Sequence, residues 1–68
     1  MTYHEVETLQ FLSKGESIGV VRAGANEVVL AISSRSNGDA EVILSTDEAR
    51  RLIEALSRAI LRASDVQP

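Results

Sequence analysis

The chain predicts an α+β domain: a three- or four-stranded antiparallel β-meander followed by one C-terminal amphipathic helix packed on one face of the sheet. Three observations carry this reading. Runs rich in Val and Ile, broken by Gly-Ala-Asn and Asn-Gly, fill the middle of the chain. A helix-start signature stands at Ser45-Thr46-Asp47-Glu48. Beyond it, apolar residues recur every three or four positions.

The 68 residues form a single domain in this reading, with an N-terminal segment over 1–16, a meander over 17–45, a helix over 46–63 and a frayed tail over 64–68. Segment 3–12 supports two periodicities. Tyr3, Val6 and Leu9 fit helical spacing, whereas Leu9 with Phe11 fits strand alternation. A fourth strand is the favoured assignment, joined to the next by a turn at Ser13-Lys14-Gly15-Glu16.

Three strands follow, over 18–23, 27–35 and 39–44. At the last connection, a two-residue Asn37-Gly38 loop would oppose Ile32 to Ile43 and scatter the large side chains over both faces. A three-residue loop, Ser36-Asn37-Gly38, opposes Ile32 to Val42 and Leu30 to Leu44. It gathers Val28, Leu30, Ile32, Val42 and Leu44 on one face for the helix to cover, and sets Arg35 opposite Asp39. By the same logic a Gly24-Ala25-Asn26 loop, with Asn26 left-handed, opposes Val20 to Leu30, Ile18 to Ile32 and Arg22 to Val28.

The helix is the clearest element. Ser45 and Glu48 fit a capping box, and Asp47 and Glu48 lie where the helix dipole favours acid. Ala49, Leu52, Ile53, Leu56, Ile60 and Ala63 form one stripe, with Ala59 at its edge, and Glu54 to Arg58 is a favourably ordered pair on the other side.

This arrangement leaves a surplus of apolar surface. The second sheet face carries Val21, Ala23, Val29, Ala31 and Ile43 beside Glu27, Ser33 and Glu41 in the predicted register, too apolar in its middle to stand open to water. Either the segment from Tyr3 to Leu12 folded back over the sheet or the same face of a second copy is expected to cover it. A chain of this size buries only about 60% of its unfolded surface, and with no Cys and only His4 among imidazoles, neither disulfides nor a zinc site can reinforce it. Self-association is the remaining remedy. The expected interface is Val21, Val29, Ala31 and Ile43.

Chemistry is sparse. His4 lies among Tyr3, Glu5 and Glu7 without a second ligand or base, which fits a solvated surface residue. The Asp47-Glu48 pair is accounted for by capping rather than by acid–base work or Mg²⁺. Ser33, Ser34 and Ser36 around Arg35 have the composition of a turn, although an anion site has the same residue types. The four glycines make no phosphate-binding motif. Arg51, Arg58 and Arg62 fall in one narrow helical sector and are the candidate nucleic-acid contacts. The acidic balance, ten acidic against seven basic residues, and the lack of an aromatic platform oppose that use.

The composition therefore points to a non-enzymatic protein–protein interaction or regulatory module acting as a homodimer, with no catalytic residue, cofactor or metal. A nucleic-acid-binding regulator is the alternative. The lack of a long apolar stretch and the acidic residues near the start fit a cytoplasmic chain with no membrane partner. The passage from strand to alanine-rich helix is similar to that of many short bacterial proteins, a generic likeness that identifies no family.

Overall fold

The computed structural model describes residues 2–13 and 15–65. Four strands, β1 (His4–Phe11), β2 (Ser17–Gly24), β3 (Glu27–Ser34) and β4 (Gly38–Ser45), precede one helix, α1 (Thr46–Asp65). The strands form an antiparallel sheet in chain order, β1-β2-β3-β4. The α+β class and the fourth strand stand as the sequence predicts. Segment 4–11 is therefore an edge strand, and it lengthens the sheet rather than folding over either face. Of the expected turn into β2, Lys14 lies outside the described residues, as do residues 66–68 of the expected tail; Ser64 and Asp65 continue the helix.

The β2–β3 register differs from expectation and changes which side chains share a face. Gly24 pairs with Glu27, so the connection is the two-residue turn Ala25-Asn26 rather than three residues. Asn26 does take the left-handed conformation, with φ of 59°. Val21, not Val20, opposes Leu30; Gly19 opposes Ile32, and Arg22 opposes Val29. The physical reason is a clamp from the N-terminus. The Tyr3 ring lies against Gly24, so close that a Cβ there would fall 2.6 Å from Cε1, and its hydroxyl donates to Glu27 Oε1 at 2.7 Å. Tyr3 thus fastens the Gly24–Glu27 pair and keeps Gly24 in the ladder.

The β3–β4 turn is three residues long, as expected, but consists of Arg35, Ser36 and Asn37 between paired Ser34 and Gly38. Gly38 closes it at φ of 80°, and the Asn37 N–H donates to Ser34 Oγ at 3.3 Å. The slip is two positions: Leu30 opposes Val42, Ile32 opposes Ala40 and Val28 opposes Leu44. An even slip preserves the faces. Arg35 is in the turn rather than opposite Asp39; its N–H donates to the Glu16 carbonyl at 3.3 Å, and its guanidinium lies 3.7 Å from the Glu16 carboxylate.

The two faces now differ in character. The first carries Leu9, Phe11, Val21, Ala23, Val28, Leu30, Ile32, Ala40, Val42 and Leu44, with His4 and Glu7 on β1 and Ser17 and Ser34 at one end as its polar members. The Phe11 ring rests on Gly19, where a Cβ would approach to 2.9 Å, so a glycine without a side chain is covered by a cross-strand aromatic. The second face carries Val20, Arg22, Glu27, Val29, Ala31, Glu41 and Ile43. There Arg22 reaches over β3 to Glu41 at 3.4 Å.

The capping box forms as the sequence predicts. Ser45 N–H donates to Glu48 Oε1 at 2.9 Å and Glu48 N–H to Ser45 Oγ at 3.1 Å. Ser45 is at once the last residue of β4 and the cap of α1. The helix packs on the sheet through its first turns, against β4 and β3. Ala49 is half-buried and Leu52 is 37% exposed, whereas Ile60 reaches 66%. Most of the apolar stripe has no cover within the chain, and the molecule measures 48 × 28 × 17 Å.

Candidate functional site

Val29, at 3% exposure, is the one buried hydrophobic side chain of the described core. It sits mid-sheet between Arg22 on β2 and Ile43 on β4. The expected interface set is thereby divided. Val29, Ala31 and Ile43 share the second face, but Val29 is buried and Ala31 half-buried; Ile43 alone of the three is exposed. Val21 is on the first face, a consequence of the two-residue Ala25-Asn26 turn. The expectation that these four residues form one open patch is corrected accordingly.

The open apolar surface is on the first face and on the helix. Ile32 is 40% exposed, Val42 45% and Phe11 47%, and a shallow groove of about 110 Å³ lies among Leu30, Ile32, Ala40, Glu41 and Val42. No helix residue lines it. On α1, Ile53, Leu56 and Ile60 are all more than half exposed, and so is Leu61 on another side of the helix. These residues escaped selection because the sequence pattern assigns this sheet face and the helix stripe to each other. A signal was present: no residue separates β4 from α1.

The amount of uncovered surface can be judged by size. A compact chain of 7.3 kDa exposes about 4,200 Å², whereas this one exposes 5694 Å². Its radius of gyration is 13.9 Å, against about 11 Å for a compact domain of its length. The excess, about 1,500 Å², exceeds the roughly 800 Å² that each partner contributes to a standard interface.

Polar candidates are less developed. Arg51, Arg58 and Arg62 are exposed on α1, and neither Arg58 nor Arg62 makes an ion pair among the described residues. The expected Glu54–Arg58 bridge is not formed; the helix instead pairs Arg50 with Asp47 at 3.0 Å. At the far end of the sheet, Gln10, Glu16, Ser17, Ser33, Ser34 and Arg35 border an open depression. Its cation faces the Glu16 carboxylate, so an anion there would have to compete with a built-in one. Among the described residues no group of three or more His, Cys, Asp or Glu could hold a metal ion. Among the described residues no helix is long and apolar enough to cross a membrane.

Two titrating groups depart from ordinary values. Hydrogen bonds from Ser45, backbone first and hydroxyl second, hold the Glu48 carboxyl below the usual carboxylate range, and Arg51 adds to this. The Tyr3 phenol is held above its usual value, first by its hydrogen bond to Glu27, then by partial burial and the charges of Glu27 and Glu41. Both groups take part in bonds that fasten chain segments, Tyr3 to Glu27 and Ser45 to Glu48.

Compared with family models, curated proteins and solved structures, the chain matches none.

Proposed function

We propose that this protein is a non-enzymatic interaction module that acts as a homodimer, its surface of contact being the apolar sheet face and the exposed stripe of α1. The observation that carries the reading is the surplus of about 1,500 Å² of surface over a compact chain of this mass. With Val29 as its buried core residue, a lone subunit has little hydrophobic stabilisation to set against the entropy of ordering its backbone. A second copy supplies the missing cover. Sedimentation equilibrium tests this: a species of twice the 7.3 kDa chain mass is expected at micromolar concentration, and a folded monomer at all concentrations overturns it.

A second reading has one observation in its favour. Arg58 and Arg62 project from the exposed half of α1 with no ion pair among the described residues, and Arg51 stands in the same sector. Binding of nucleic acid through these three would show affinity that falls steeply with salt and disappears on triple alanine replacement. Salt-independent or absent binding to DNA and RNA removes it.

A further inference from the structure

The uncovered sheet face and the uncovered helix stripe are complementary, yet within one chain α1 meets β4 and β3 and leaves most of its stripe exposed. Connections from strand to helix that fold a helix back onto its sheet commonly use about 2–6 residues. Here there are none: β4 ends at Ser45 and α1 begins at Thr46. The reciprocal bonds between Ser45 and Glu48 further fix the direction in which the helix departs.

We infer that the dimer exchanges its helices, the projecting part of α1 from one copy lying across the first sheet face of the other, over Leu9, Phe11, Ile32 and Val42. This inference rests on the self-association proposed above. The dimensions agree. From Leu52 to Ile60 the stripe runs about 12 Å, and the four strands span about 14 Å between outer axes. Charge adds a single contact: residues 55–64 contain Arg58 and Arg62 and no acid, and Glu7, paired with Val21, is the acid that β1 contributes to the first face. Pairing of helix with helix would leave Phe11, Ile32 and Val42 open to water. Exchange covers both surfaces in one contact and repeats it by two-fold symmetry.

The test lengthens the connection. Insertion of Gly-Asn-Gly-Ser between Leu44 and Ser45 keeps the cap and lets the helix fold back on its own sheet, so sedimentation should show conversion from dimer to monomer with helix content retained. A variant that remains dimeric overturns the exchange, because a helix-to-helix dimer has no reason to respond to the loop. Isotope-filtered NMR on wild type refolded from labelled and unlabelled chains gives the second measurement. Methyl contacts between Ile60 or Leu56 of one copy and Ile32 or Val42 of the other support exchange; a dimer showing only helix-to-helix contacts between copies overturns it and leaves self-association standing. Wild type that is monomeric from the outset overturns both.

Discussion

Ser45 and Glu48 bind each other reciprocally, the Ser45 N–H to the Glu48 carboxylate at 2.9 Å and the Glu48 N–H to the Ser45 hydroxyl at 3.1 Å. Because Ser45 also ends β4, this pair sets the angle at which the helix leaves the sheet. Ser45→Ala removes the acceptor for one orphan helix N–H and should cost about 1 kcal/mol. For a domain of this size that lowers Tm by about 4–8 °C, measurable by circular dichroism. An unchanged Tm would show that the cap does not hold the junction.

The same pair gives stability a pH dependence. Glu48 titrates below its ordinary value in the folded chain, so the unfolded state binds a proton more readily. Its contribution is therefore complete above about pH 4.3, the usual glutamate value, and is lost as pH falls through the lower folded-state value. Denaturant midpoints measured from neutral pH downward should fall less steeply over this window in Glu48→Gln than in wild type. Identical slopes in the two proteins contradict the assignment.

Tyr3 behaves in the opposite sense. Its folded pKa is raised, so the hydrogen bond to Glu27 contributes below about pH 10 and is lost as pH rises through the higher folded value. It is the only tyrosine, so ultraviolet difference titration reads it alone. Gly24→Ala, whose Cβ would fall 2.6 Å from the ring, should push Tyr3 away and return its titration towards the ordinary value. A titration unmoved by the substitution would show that the ring does not need the glycine.

Ile60 is 66% exposed within one chain. At such a position a Lys changes the stability of a monomer by no more than about 0.5 kcal/mol. At a dimer contact it buries a charge, and a loss of about 3 kcal/mol weakens association by about 100-fold. Ile60→Lys should therefore raise the dissociation constant by that order, and Val42→Lys should do the same from the sheet side. Ile43→Lys, on the other face, should not.

What could be read before the structure was local or periodic. The Ser45–Glu48 cap spans three residues, and the alternation of β3 and β4 places Val28, Leu30, Ile32, Val42 and Leu44 together whichever even register is adopted. What could not be read was long-range. Whether Gly24 belongs to the loop or the ladder is decided by Tyr3, more than twenty residues away, and that one-residue difference moved Val21 to the far face from Val29 and Ile43. The direct join of β4 to α1 was visible in the residues. The exposure of most of the stripe within one chain depends on the angle of departure, which spacing alone does not encode.

Sedimentation equilibrium of the wild-type chain tests the central claim, that one subunit cannot cover its own apolar surface. A mass of twice 7.3 kDa is expected at micromolar concentration, shifting towards the single-chain mass in Ile60→Lys. A wild type that sediments as a folded 7.3 kDa monomer up to millimolar concentration contradicts it.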